Sequence, residues 1–513
     1  MPLNPIKILI IPTNGYGHLN IGLGLADMLT KHGHKPIFAL NKKWAPSAEA
    51  RGYETRILDA NVIEEAEADQ AARQMAVLDL LASSLSEPTI EQTTWMSGKE
   101  TILYEDHMRI DAGLESLLST GEHFDLLIVA TLVAIPSAET SGIPWVYFHT
   151  PSPHILYGTQ ITPPFSGYPL DTPKDICQQY WDRYYSERAM GDAIYNSYFA
   201  SRGVGKVNVG YFQRESPYLN IYAYPKELDY RDVATLPKHY FRMDNAIREN
   251  DALVTKIPDE FLSRPGKLIY VSLGSWFSGM TDVMVNLISI LSKSPHKFIV
   301  SKGPNADKIV LHKNMWGERF VNQLSILPLV DLVITHGGNN TIVECLHNGK
   351  PMIVLPFFID QHDNAQRIVE KQLGHKFDPF HLDGPGILRS IEMILNDDQV
   401  YSRLKSIAND LQNSSTREEL VKLLEIIARE KRCPFDITNG DKDKDKNSNE
   451  IKSNGDVKQS TIKSTCGSSS QLTEKSIDTN NQQANYFQKI ISYFTSTTIY
   501  SLLFNTNDHN VKN

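Results

Sequence analysis

Between Thr335 and Gln361 the chain reads THGGNNTIVECLHNGKPMIVLPFFIDQ. By local rules DLVIT, ending at Thr335, is a buried strand, and His336, Gly337 and Gly338 make a tight turn. Asn339 or Asn340 is expected to cap a helix that runs to about Asn348, where Gly349 ends it and Pro351 bars its continuation. MIVLP is then the next parallel strand, with Asp360 and Gln361 at its carboxyl end. The glycines let a ligand approach the backbone, and the helix start offers N–H groups and a positive dipole end to an anion such as phosphate. His336, Asn340 and Thr341 add side-chain donors, Glu344 one turn on can accept from a ribose diol, and Asp360 with Gln361 can meet a hydroxyl-rich group. Nucleotide, diphosphate and sugar thus follow in order.

A second candidate is His18 in NGYGHLN, on a glycine-rich turn after the first strand. It stands at the carboxyl end of that strand, facing the proposed cleft. GYGH alone is a weak signal, because GxG after a first strand also suits an NAD-binding fold. That alternative expects GxGxxG, whereas Asn20 stands two places beyond His18 and no acidic residue closes KPIFALNKKW.

The elements around these residues read as α/β. Ile6 to Ile11 is apolar at nearly every position, as in a parallel strand buried on both faces; IGLGLADMLTKHGH has helical spacing, and KPIFAL is a second strand. FDLLIVAT, PSAETSG and IPWVYFH repeat the unit. After a polar stretch around Tyr230 to Asn250 a second series begins with KLIYVSLGS, TDVMVNLISILSKS and HKFIVS. Two such halves place ligands beyond the carboxyl ends of their strands.

With 513 residues and 41% hydrophobic content, two or three globular domains are accommodated. A net charge of −9 argues against a nucleic-acid partner. The four cysteines, Cys177, Cys345, Cys433 and Cys466, have no CxxC spacing and suit a reducing, cytoplasmic location. The N-terminus lacks the pattern of a secretory signal, and no window of about 20 residues is apolar enough to span a bilayer. From Cys433 the composition turns to Lys, Asp, Asn, Ser and Gln, and this tail is expected to be disordered. Asp441, Asp443 and Asp445 within it are a weak DxD signal. Its aromatic stretch, YFQKIISYFTSTTIYSLLF, is expected at most to touch a membrane surface.

The Thr335–Gln361 segment resembles the donor-binding signature of the UDP-glycosyltransferases, the UGT family of GT-B enzymes. His-x-Gly-x-Asn-Ser/Thr-x-x-Glu, Gly-x-Pro, a strand, Pro and Asp-Gln occur in order. FVNQLSILPLVDLVITH is similar to the family's Trp-x-Pro-Gln run, and RPGKLIYVSLGS resembles the strand carrying its Gly-Ser phosphate contact. The similarity spans roughly residues 6 to 430. It implies a GT-B fold of two Rossmann-like domains facing a cleft: 1–236 for the acceptor, 237–432 for the UDP-sugar, and 433–513 as tail.

It further implies that Phe320 stacks on uracil, with Val321 beside it and Gln323 near base and ribose. Glu344 matches the ribose ligand; Ser275, His336, Gly338, Asn340 and Thr341 match the diphosphate site; Asp360 and Gln361 match the sugar ligands. Asn322 replaces the usual Pro, at an expected cost in loop stiffness. His18 matches the catalytic base, which glycosyl transfer requires for the acceptor proton while donor-site amides stabilise the departing diphosphate. No metal and no cofactor beyond the donor are expected, since helix dipole and side chains meet the phosphate charge.

One departure stands out. The family's base is oriented by an Asp after a later strand, yet FDLLIVATLVAIP has Ala130 and Thr131 there. Asp106 or Asp111 could reach His18 instead; Thr131 or water could orient the ring; or the acceptors could be acidic phenols that need little base. The second and third together are the expectation. WVYFHTPSPHILYGTQITPPFSGYP is aromatic and Pro-rich, so Phe148, His149 and Tyr157 are expected in a lipophilic acceptor wall, although packing of an irregular loop accounts for them equally.

The expected activity is inverting transfer of a hexose, from UDP-glucose first, to a hydroxyl of a small lipophilic acceptor such as a phenol or xenobiotic, as in detoxification. The alternatives are a catalytically impaired UDP-sugar-binding protein and a sterol or lipid glycosyltransferase of the same fold. A glucuronate donor would require an Arg, for which Arg264 is the candidate.

Overall fold

Strands that are apolar on consecutive positions demand cover on both faces, and both halves of the chain meet that demand with a parallel sheet between helices. The computed structural model describes residues 4–58, 85–96, 100–207, 214–249 and 254–436. The tail beyond Asp436, with Cys466, the three alternating aspartates and the aromatic stretch, lies outside the described residues.

The first sheet contains β1 (Lys7–Pro12), β2 (Lys35–Leu40), β3 (Glu54–Ile57), β4 (Leu126–Ala130), β5 (Trp145–His149), β6 (Asn220–Ala223) and β7 (Tyr240–Met243). Their order is β3-β2-β1-β4-β5-β6-β7. Ile8 and Ile10 of β1, Ile128 of β4 and Phe148 of β5 pack on one side, against Leu19, Leu23 and Ala26 of the Tyr16–Lys31 helix. Leu9, Ile11, Leu127 and Val129 pack on the other, against Ile110 and Leu114 of the Glu100–Ser119 helix. Each such buried aliphatic contributes about 1.5–3 kcal/mol.

The second sheet contains β8 (Leu268–Ser272), β9 (Lys297–Ser301), β10 (Met315–Glu318), β11 (Leu332–Thr335), β12 (Met352–Val354) and β13 (Gly374–Lys376), in the order β10-β9-β8-β11-β12-β13. Strand order reverses between β1 and β4 and again between β8 and β11. At such points the outgoing loops diverge and leave a crevice. His18 follows β1, Ser275 follows β8 and His336 follows β11, so each stands at a reversal.

Two findings differ from the expected division at residue 236. Tyr240–Met243 is a last strand of the first sheet, in register with β6 through Asn220↔Tyr240. The Thr416–Glu430 helix also returns to the first domain, where Leu420, Val421, Leu424 and Ile427 join its core. The two crossings are tied together: Ser414 Oγ donates to Asp244 Oδ2 at 2.6 Å, the Asp244 N–H to Thr416 Oγ1 at 3.0 Å, and Asn245 Nδ2 to the Leu411 carbonyl at 3.3 Å.

Candidate active site

His18 is not on a turn, as the glycines suggested, but in the first turn of the Tyr16–Lys31 helix. Gly15, with an extended φ of 175°, is the last residue before it, and Gly17 leaves open space, its nearest would-be Cβ neighbour being Asn340 Nδ2 at 4.0 Å. His18 Nδ1 lies 2.6 Å from Thr150 Oγ1. Thr150 is buried and is the first residue beyond β5. Burial, with His107 and His149 close by, pushes the His18 pKa down to about 4. The imidazole is therefore neutral near pH 7 and a weak base.

The acids weighed for His18 are committed elsewhere. Asp106 accepts from Asn14 Nδ2 at 3.2 Å. Asp111 is buried and accepts from the Ser137 N–H at 2.7 Å, Ser137 Oγ at 2.6 Å, Tyr198 Oη at 2.5 Å and Arg202 Nε at 3.1 Å. Thr131 Oγ1 donates to the Val133 carbonyl at 2.5 Å. A hydroxyl does hold the ring, but it is that of Thr150, which sequence reasoning missed. The available signal was its place, directly after a wholly buried strand at the carboxyl edge of the sheet.

On the donor side, the Asn339–His347 helix has Gly338 at its N-cap and no side-chain cap. The expected asparagine cap is thus overturned. Asn339 Nδ2 donates to the Thr150 and Ala223 carbonyls at 3.0 and 3.2 Å, and Asn340 Nδ2 to the Gly17 carbonyl at 2.7 Å, all in the first domain. Both amides are drawn across the cleft, leaving the helix start without a side-chain acceptor.

His336 is held between glycines. A Cβ on Gly274 would come within 2.7 Å of its ring, and one on Gly338 within 2.5 Å of its Nε2. Gly274 and Gly337 also have φ of 76° and 85°, which other residues rarely adopt. Burial pushes the His336 pKa down to about 4, so it is a neutral donor. Ser275 follows Gly274 in the short Gly274–Phe277 helix.

Glu344, 5% exposed, accepts from Gln323 Nε2 at 2.5 Å, and Gln323 Nε2 lies 3.3 Å from Thr341 Oγ1. Arg248, which sequence reasoning did not single out, stands 3.7 Å from Glu344 Oε1. Arg248 and Glu344, with Asn20, Asn340 and Val343, line a recess that opens to solvent. Phe320 is 56% exposed, while Val321 is buried in the core behind it. Asn322 donates its N–H to Thr255 Oγ1 at 2.8 Å and accepts the Leu324 N–H at 3.2 Å. These bonds pin the turn and offset the stiffness lost with Pro.

The Asp360–Glu370 helix begins after Ile359, a non-glycine residue at φ 43°. Asp360 Oδ2 accepts the Ser152 N–H at 2.9 Å, and burial lifts its pKa to about 7 against the effect of that bond. Gln361 Oε1 accepts the Phe357 and Phe358 N–H groups at 3.0 and 3.3 Å. Further along, Asp363 accepts from Phe165 and Gly167 at 2.7 and 3.1 Å, and Glu370 from Leu170 at 3.1 Å. One helix face thereby clamps the irregular segment after β5.

The acceptor assignments are corrected accordingly. Phe148 has no exposure and lies in the sheet core. Tyr157 is buried with its hydroxyl 2.6 Å from Asp229 Oδ1, and His149 is buried with Nε2 2.8 Å from the Ser152 carbonyl. Arg264 bonds the Lys313 carbonyl at 2.5 Å and Glu260 at 3.4 Å. Among the described residues no group of three or more His, Cys, Asp or Glu could hold a metal, and no helix is long and apolar enough to cross a membrane.

Comparisons with known proteins agree with this arrangement. Residues 240–415 match the family model described as UDP-glucoronosyl and UDP-glucosyl transferase. The chain is 23% identical to the NDP-glycosyltransferase YjiC of Bacillus subtilis (strain 168) over 442 residues, 84% of this chain and 98% of that protein. It is 28% identical to the uncharacterized UDP-glucosyltransferase YdhE of the same organism over 180 residues, 34% of this chain and 45% of YdhE. It is 31% identical to human UDP-glucuronosyltransferase 2B17 over 147 residues, 27% of each chain. The matched part thus spans less than half the length of the last two. Among solved structures, the glycotransferase of kitacinnamycin superposes with a TM-score of 0.59 at 18% identity, covering 83% of this chain and 99% of that one. VinC, solved in complex with dTDP, gives 0.57 at 16%, covering 83% and 100%. Residues 240–415 thus carry the match to the UDP-glucoronosyl and UDP-glucosyl transferase model, and the two parallel-sheet domains have the GT-B fold.

Proposed function

We propose that this protein transfers a hexose from a UDP-sugar, UDP-glucose being the first candidate, to a hydroxyl of a small lipophilic acceptor such as a phenol, with inversion at the anomeric carbon. The observation that carries the reading is the meeting of the two halves of the chemistry: Asn340 of the donor signature bonds the carbonyl of Gly17, the residue before His18. In this reading the uncapped helix start, His336 and Ser275 receive the diphosphate, Glu344 and Gln323 the ribose, and Phe320 the uracil. Asp360 and Gln361 hold the sugar. His18 Nε2 takes the acceptor proton as the acceptor oxygen bonds the anomeric carbon; the bond from that carbon to the diphosphate breaks, its electron pair leaving with UDP. We place the reaction in the cytoplasm, a setting in keeping with the thiols of Cys177, Cys345 and Cys433, and assign it to xenobiotic conjugation.

Mass spectrometry of the purified protein with UDP-glucose, UDP-glucuronate and UDP-N-acetylglucosamine, mixed phenols and alcohols, and EDTA tests this. A glycoside identifies the donor. UDP binding without product across the panel refutes transfer and favours a UDP-sugar-binding protein, a reading supported by the bond of His18 to a hydroxyl, with no carboxylate partner among the described residues.

A further inference from the structure

We infer that Thr150 is the positioning residue for His18, fixing the ring through its hydroxyl, an inference that rests on His18 being the base. A short contact of 2.6 Å joins Oγ1 to Nδ1. With Nδ1–H donating to that oxygen, the lone pair stands on Nε2, the nitrogen left for the acceptor proton. Thr150 is itself immobilised: it is buried, and its carbonyl accepts from Asn339 Nδ2 at 3.0 Å. The carbonyl of Gly17, on the other side of the base, accepts from Asn340 Nδ2 at 2.7 Å. The first two residues of the donor-site helix therefore hold both attachments of the imidazole, so its orientation is set by the docked donor domain.

A hydroxyl orients the ring without supplying charge. The titratable groups acting on His18 are His107, from the Glu100–Ser119 helix, and His149, at the end of β5; both disfavour the imidazolium. Asp106, on the same helix as His107, is bonded to Asn14. Proton transfer to His18 is thus well aimed but weakly driven, and turnover falls as the acceptor becomes less acidic.

The test uses the full chain with UDP-glucose and a phenol, comparing Thr150→Val, Thr150→Ser, Thr150→Asp and His18→Ala. Thr150→Val is isosteric and is expected to lower kcat by about 10–100-fold through misorientation, with the donor KM within about twofold. Thr150→Ser recovers most of that loss. Thr150→Asp places a carboxylate at Nδ1, raises the His18 pKa and adds an acid limb to the kcat/KM profile between about pH 5 and 8. Wild-type kcat in Thr150→Val, a loss that Thr150→Ser does not recover, or an unaltered profile in Thr150→Asp overturns the inference. An inactive His18→Ala beside a fully active Thr150→Val overturns it alone; a fully active His18→Ala removes the base reading with it.

Discussion

Replacing Gly338 by Ala isolates what His336 does for the donor. Gly338 has φ −61° and ψ 143°, values any residue adopts, so the backbone accepts the methyl group without strain. The side chain of His336 does not, because the new Cβ would lie 2.5 Å from Nε2, where ordinary contact begins at 3.4 Å. The ring must retreat by about 1 Å, enough to carry a hydrogen bond of normal length past its limit. A lost bond to a charged oxygen costs about 1.5–3 kcal/mol, so UDP should bind about 10–150-fold more weakly. Calorimetric titration of Gly338→Ala, His336→Ala and the double variant measures this. The reasoning requires that the two changes fail to add, since both remove one contact. Wild-type affinity in Gly338→Ala refutes it, as does an undiminished loss in the His336→Ala background, which would show the methyl group meeting the nucleotide directly.

Other outcomes follow from the same geometry. With its pKa near 4, His18 is deprotonated across the neutral range, so acceptor kcat/KM at saturating donor should stay level from pH 8 down to about 6 and fall only as pH approaches 4; a limb near 6.5 contradicts this. His18 and His336 have folded pKa values below their unfolded value of 6.5, so their contribution to stability is complete above pH 6.5 and is lost as pH falls towards 4. Thermal melts of His336→Asn should lose less between those pH values than wild type. Leu424→Ala removes a buried side chain of the returning helix and should cost about 2–5 kcal/mol, seen as a lower melting temperature; an unchanged melt would contradict the packing of this helix on the first domain.

Long buried strands announced themselves. β1, β4, β5, β8, β9 and β11 are runs of consecutive apolar residues, and the donor segment carries its order of turn, helix and strand within one stretch. By contrast β3 (ETRI), β7 (YFRM), β10 (MWGE) and β13 (GHK) are three or four residues long and mixed in polarity, so only pairing in the sheet defines them. The aromatics of β5 misled for a related reason: a strand covered on both faces has no composition that separates core from pocket wall. Thr150 was hidden by distance, 132 residues from the histidine it meets. The asparagines were read as caps because local rules favour that use, but the facing domain offered their amides carbonyls instead.

The double crossing between domains has a mechanical consequence. A single tether lets two bodies twist as well as tilt. Here the segments at Asp244–Asn245 and Leu411–Thr416 are laced side by side by three hydrogen bonds, so they behave as the spine of a book. Twist is suppressed and the remaining freedom is rotation about that spine. Rotation about that spine would displace residues in proportion to their distance from it, so Asn339 and Asn340 would keep their alignment with the carbonyls they meet.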